Sequence, residues 1–180
     1  MMRFVSWILF TLVLAAVTHV IVVSQLPTFI MGRVMAAIGN GAPGNITFSD
    51  RPDETARRVV RPSPDLLYSV CIYDVSKNPL RITTGAPQGT YWSVSLFADN
   101  TDNFYVFNDK QAQDKSATIL LIGQGQQIPP QDGSMTVISA PSSKGVVLFR
   151  TLINDDARLA EIDLQRREAR CDVILPNEVQ

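Results

Sequence analysis

Two kinds of residue in this chain could do chemistry: a pair of cysteines, Cys71 and Cys171, and a scatter of carboxylates. Asp99 and Asp102 stand close together in the stretch ADNTDNF, residues 98–104. Retaining and inverting glycosidases need only two acids held at a set separation, so a carboxylate-based hydrolase is one reading of this pair. The plainer reading is a tight connection between two strands, because Asn and Asp hydrogen-bond their own backbone and tolerate left-handed conformations. A calcium loop built on DNTDN would need glycine at its sixth place and glutamate at its twelfth, where Phe104 and Lys110 stand.

Other chemistries lack their parts. The single histidine, His19, lies inside the apolar N-terminal run, so a Ser-His-Asp or Cys-His hydrolase has no base in the rest of the chain, and no Gly-x-Ser-x-Gly elbow occurs. Two cysteines without a further histidine cannot fill a tetrahedral zinc site, so no metal is expected. GQGQ, residues 123–126, does not open a helix after a strand and reads as a turn rather than a phosphate cradle. No cofactor is implied. A net charge of −1 without a basic cluster outside the last helix excludes nucleic acid as a partner.

The elements that must position these residues begin with an anchor. Phe4 to Val23 carries no charged group other than the titratable His19, and at about 1.5 Å per residue such a run spans roughly 30 Å, the thickness of a bilayer's hydrocarbon core. A cleaved signal peptide is the rival, with Arg3 as its basic flank and Ala16–Thr18 as its cleavage site. The apolar run continues past that site through Val20–Val23, which argues for an uncleaved anchor. Arg3 on one side and nothing basic before Arg33 on the other place the N-terminus in the cytoplasm and the rest outside. Trp7 suits the interfacial aromatic belt, and His19 can snorkel to the outer surface. The expected organisation is a transmembrane anchor over 1–25, a juxtamembrane helix and linker over 26–45, and a β-sandwich domain over 46–180. Pro27 would open the juxtamembrane helix and Gly39 would stop it; the alternative is that it extends the anchor with a kink. Asn45-Ile46-Thr47 matches a glycosylation sequon.

From residue 46 the period becomes that of strands. Residues 66–75 are apolar on both faces, as in a doubly covered strand, whereas 90–98 alternate, with Trp92, Val94 and Leu96 on one side and Tyr91, Ser93 and Ser95 on the other. Further runs at 80–84, 103–108, 117–123, 135–140 and 145–153 are separated by Gly, Pro, Asn and Ser clusters. Short strands at this spacing predict a mainly β fold, an antiparallel sandwich or barrel, of which a jelly-roll-like sandwich is the expected form. One helix closes the chain over residues 154–170, capped by Asn154, with Asp155 and Asp156 at its positive end and arginines at its negative end; Leu159, Ile162 and Ala169 form its apolar stripe. Cys171 would follow that helix. In an oxidising compartment a Cys71–Cys171 bridge would then fasten helix to sheet; two unlinked buried thiols are the alternative.

The segment RPSPDLLYSVCIYDVSKNPLRITTGAPQGTYWSVSLFADNTDNFYVFND, residues 61–109, resembles domain-of-unknown-function family 1254. The resemblance rests on Arg61, Pro62, Asp65, Tyr68 and Ser69, then Asp74, Ser76 and Pro79, then Tyr91, Trp92 and Ser93. It implies a β-sandwich in the bacterial envelope, here a small inner-membrane, single-pass form with its C-terminal domain in the periplasm. It also implies a companion, since longer relatives carry a sister domain, family 1214, in the same chain. The expected partner is a membrane protein of that sister family or a second copy of this chain. The resemblance places Asp65, Tyr68, Tyr91 and Asn108 in the same core segment as Asp99 and Asp102, so these six are the candidate binding residues. No activity comes with the family. The function expected is a binding or interaction module rather than an enzyme, with a histidine-free carboxylate hydrolase of a carbohydrate-like envelope substrate as the alternative.

Overall fold

Strands apolar on both faces cannot leave either face to water, and the architecture follows from covering them. The computed structural model describes residues 2–38, 43–57, 61–112, 116–127 and 135–175, so part of the expected linker, residues 39–42, lies outside the described residues. Among the described residues nine strands form two sheets. Sheet A runs β1 (Ile46–Phe48), β2 (Leu66–Asp74), β8 (Lys144–Leu152), β4 (Trp92–Ala98), β5 (Asn103–Asn108) and is antiparallel throughout. Sheet B runs β7 (Thr136–Ser139), β6 (Thr118–Ile122), β3 (Leu80–Thr83), β9 (Arg170–Val173) and is antiparallel except for the β6–β7 pair, which is parallel. The fold is mainly β, as expected.

The inner faces pack into one core. Tyr73, Val94, Leu96 and Val147 of sheet A meet Leu80, Ile82 and Leu121 of sheet B, all of them buried. Gly145 has no side chain for a physical reason: a Cβ there would sit 2.1 Å from the Phe97 carbonyl and 2.5 Å from the Tyr73 hydroxyl.

Part of the outer face of sheet A is covered by the end of the N-terminal helix. This helix, α1, is continuous over Met2–Ile38. Pro27 removes one backbone hydrogen bond without ending it, so the segment after Pro27 extends the apolar helix instead of forming a second one. At about 1.5 Å per residue the helix is roughly 55 Å long, well beyond the ~30 Å hydrocarbon thickness of a bilayer. Its surplus is used: Met31, Met35 and Ile38 in its last turns pack on Val70, Val146, Phe97 and Leu148. This explains why β2 is apolar on both faces, one facing the sandwich core and the other facing α1.

β4 places its serines on the face opposite Trp92, and both faces are covered: Ser93 and Ser95 are 1% and 0% exposed. The closing helix requires a correction, being shorter than its charge pattern suggested. A 3₁₀ turn over Asp156–Arg158 leads into α3 (Leu159–Arg166), following α2, a single turn over Asp109–Ala112. The cap is Asp155, whose carboxylate accepts from the Ala157 N–H at 2.9 Å; Asn154 instead donates to the Gly89 carbonyl at 2.7 Å. The arginines that resembled a helix terminus run on into β9, which puts Cys171 opposite Ile82 of sheet B.

Cys71 and Cys171 form a disulfide, their Cα atoms 6.7 Å apart. The bridge joins β2 of sheet A to β9 of sheet B, and so ties sheet to sheet rather than helix to sheet. The loop it closes has a sequence separation of 100, for which chain entropy sets an upper figure of about 4.7 kcal/mol. Replacing both cysteines by serine should therefore lower the thermal midpoint markedly and raise amide exchange in β2, β3 and β9 together. Faster exchange confined to α3 would contradict this account.

Candidate functional site

Burying an arginine is costly unless every nitrogen finds an acceptor. Arg166, at the end of α3 and only 4% exposed, meets that condition. Its Nε donates to Asp163 Oδ1 at 2.6 Å, Nη1 to the Tyr68 carbonyl at 3.0 Å and Ser69 Oγ at 2.8 Å, and Nη2 to the Ser49 carbonyl at 2.8 Å. The Phe48 ring lies under the guanidinium at 5.6 Å, with Arg167 also over that ring at 5.3 Å. One side chain thus joins α3 to β2 and to the segment after β1. Burial pushes the Asp163 carboxyl up, but hydrogen bonds from Arg167 and Arg166 outweigh it and hold the group below the usual aspartate value. Burial lowers the Arg166 pKa, and Asp163 opposes that shift.

Beside this network is an open cleft of about 440 Å³, lined by the apolar Leu67, Leu159 and Ala160 and by the acids Asp50, Asp156 and Asp163. Asp156 is paired with Arg51 at 2.7 Å and Asp163 with both neighbouring arginines, so the rim's charges are largely spent on structure.

The six residues proposed from sequence fall into two groups. β2 and β4 both run antiparallel to β8, so the starts of β2 and β4 and the end of β5 share one end of sheet A. Asp65, Tyr68, Tyr91 and Asn108 belong to that end. Asp99 and Asp102 belong to the other, separated by the length of β4, seven residues or roughly 20 Å at about 3.3 Å per residue. Asp102 serves the β4–β5 turn: its carboxylate accepts from Asn100 Nδ2 at 2.6 Å and its N–H donates to Asn100 Oδ1 at 3.1 Å, with Thr101 at φ 73°. The backbone N–H of Asp99 donates to Ser142 Oγ at 3.0 Å. At the first end Asp65 is exposed and its carbonyl accepts from the Ile153 N–H at 2.8 Å, Tyr68 accepts from the Ser63 N–H at 3.0 Å, Tyr91 is 40% exposed, and Asn108 exchanges bonds with Gln111.

Cross-strand register brings this first end together into a row on the outer face: Tyr68 of β2, Arg150 of β8, Ser93 of β4 and Asn108 of β5 stand side by side. Arg150 was missed from sequence. The signal that could have found it is a charge inside the apolar run GVVLFRTLI, in a strand that the sheet order makes central. Several of the family-like residues serve the fold. Ser69 accepts from Arg166, Asp74 accepts from the Ser76 N–H at 3.0 Å and hydroxyl at 2.6 Å, and Trp92 is buried against Phe107.

A two-sheet β domain carried on a long apolar helix is the class these features define. The model of the family described as protein of unknown function (DUF1254) matches residues 44–172, and the chain belongs to that family. No curated protein matches it. Among solved structures it is similar to the VPA0106 protein from Vibrio parahaemolyticus, with a TM-score of 0.61 and 16% identity over 82% of this chain and 37% of that one. It is also similar to an uncharacterised protein from Burkholderia cenocepacia, with a TM-score of 0.48 and 20% identity over 86% of this chain and 41% of that one. The first likeness speaks to the fold alone, and the chain spans well under half the length of either protein.

Arg166→Ala should cost about 3 kcal/mol or more in denaturant unfolding, since it leaves the Ser49 and Ser69 acceptors without their donor, and Arg166→Lys should recover only part of that. The Asp163 contribution is present at neutral pH and is lost as pH falls below the ordinary value of 3.8 and through the lower folded value. Asp163→Asn should therefore flatten the acid limb of stability against pH measured by thermal melts.

Proposed function

We propose that this chain is a single-pass protein of the bacterial inner membrane, with its N-terminus in the cytoplasm and its β domain in the periplasm. There it acts as a binding and interaction module beside a partner protein. A helix long and apolar enough to span a membrane supports the anchor, and the Cys71–Cys171 disulfide supports an oxidising compartment. The observation that carries the binding reading over the carboxylate hydrolase is the placement of the acids: Asp99 and Asp102 belong to a turn remote from Asp65, while the shared end of sheet A offers a strip of aromatic, hydroxyl and guanidinium groups.

The partner is a second copy or an anchored protein of the sister family 1214. β5 is the surface best suited to meet it. It is an edge strand of six uncharged residues, NFYVFN, with Val106 42% exposed, whereas the other edges are shorter: β1 has three residues, β7 four, and β9 four with charges at Arg170 and Asp172. An anchor confines both molecules to one plane and raises their effective concentration.

A photo-crosslinking residue at Val106 should capture a dimer or one discrete membrane protein in native membranes, and the same residue at exposed Leu164 should not. Capture from neither position, or from both alike, would refute a partner at β5. A C-terminal fusion to a reporter active only in the periplasm should give signal; silence there with a cytoplasmic reporter active would refute the orientation.

A further inference from the structure

The fold houses Arg166, which is buried, and Arg150, which is partly buried, in unlike ways. Arg166 has an acceptor for each nitrogen and a carboxylate beside it. Arg150, partly buried on the outer face of sheet A, has one bond, from Nη2 to Ser95 Oγ at 3.0 Å. Its Nε is buried without a partner, and none of the ion pairs among the described residues includes it. Directly across the strand pair stands Ser93, 1% exposed, whose hydroxyl is likewise buried without a partner. Two unsatisfied polar groups thus stand at paired positions on one face, one of them belonging to a cation that makes no ion pair among the described residues.

What surrounds them narrows the chemistry. The row through Arg150 contains Tyr68, Ser93 and Asn108, and Ser95 lies two residues along β4 on the same face: hydroxyls and an amide, with no acid among them. Asp109, the next residue after Asn108, makes no ion pair with Arg150, and its Oδ1 is likewise buried without a hydrogen-bond partner. On one side Leu148, two residues before Arg150 on β8, belongs to the cluster covered by the end of α1, so the polar row is walled by apolar packing. On the other side the half-exposed Tyr91 stands at the end of β4. A guanidinium presents planar, paired N–H donors that suit a carboxylate or phosphate, and hydroxyls complete the coordination of such an oxyanion. Proteins leave buried polar groups unsatisfied rarely, and ligand recognition is one of the reasons they do.

Resting on the reading of this domain as a binding module, we infer that the guanidinium of Arg150, backed by the buried hydroxyls of Ser93 and Ser95, is a recognition site for the oxyanion of a ligand, a carboxylate or a phosphate. The ligand is either a soluble metabolite-sized acid or the headgroup of an anionic lipid, which present the same chemistry to the guanidinium.

The test uses the full chain, first in neutral detergent. Sodium phosphate and sodium acetate are titrated against sodium chloride at equal ionic strength, while the Nε–Hε resonance of Arg150 and the thermal midpoint are followed. The resonance should shift saturably with phosphate or acetate and not with chloride, and the midpoint should rise by several degrees. Arg150→Gln should abolish both responses yet melt no lower than the parent in chloride, because it removes a charge that has no counter-charge among the described residues while its amide can still donate to Ser95. Arg150→Lys, which keeps the charge and loses the fork, should weaken the response about tenfold. In nanodiscs without added anion, a shifted resonance with anionic phospholipid but not with zwitterionic lipid would assign a lipid headgroup; a shift only with the free anions would assign a soluble ligand. The inference is overturned if phosphate, acetate and anionic nanodiscs all leave the resonance where chloride does. It is equally overturned if Arg150→Gln melts well below the parent and the anion response survives in it, which would make Arg150 a strut for Ser95. Neither result touches crosslinking through β5, so failure of the anion site and failure of the partner reading are told apart.

Discussion

The central strands of sheet A, β2 and β8, are apolar on both faces, and the rest of the molecule is arranged around that fact. The inner face requires a second sheet. The outer face requires a second cover, and the last turns of α1 supply it through Met31, Met35 and Ile38. The apolar helix and the β domain are therefore one packed unit at that contact. Because Met31, Met35 and Ile38 lie past Pro27, the length of α1 beyond an ordinary membrane span has a structural use whatever surrounds its first turns.

Closure of the sandwich falls to the C-terminal segment, which makes three attachments in quick succession. Ile162 of α3 packs on Leu67 and Ile153 at one end of the sandwich, Arg166 binds β2 and the segment after β1, and Cys171 is bonded to Cys71 across the core. Each is of a different kind: apolar burial, a charged hydrogen-bond network, and a covalent bond. They converge on β2, which explains why Tyr68, Ser69 and Cys71 lie so close together in sequence. Tyr68 and Ser69 of the family-like motif thus belong to the docking strip for the C-terminal segment.

Against that background Arg150 is the exception. A fold that satisfies Arg166 in full leaves Arg150 with a single neutral acceptor and leaves Ser93 opposite it with none. Local rules of polar satisfaction hold nearly everywhere else in this domain, and such departures are where function is expected.

Much of this could be read in the sequence, because it depended on local pattern. The apolar N-terminal run, the strand runs and their turn clusters, and the role of DNTDN as a turn follow from residue period and from the backbone bonding of Asn and Asp, which neighbours in the chain decide. The cysteine pairing followed from compartment and count. Tertiary structure decided the rest. Pro27 does not end α1, although its ring and missing N–H would suggest that it should. Arg166, Arg167 and Arg170 look alike as a basic helix terminus, yet the helix stops at Arg166 and Arg170 opens β9, because β3 offers Cys171 and its neighbours a ladder of backbone partners. Residue period set Ser93 and Ser95 on the face opposite Trp92, but only the packing of that face in the folded sheet buries them. Asp65 and Asp102, both in the family-like segment, lie at opposite ends of sheet A because strand direction, set only when β8 inserts between β2 and β4, determines which residues meet.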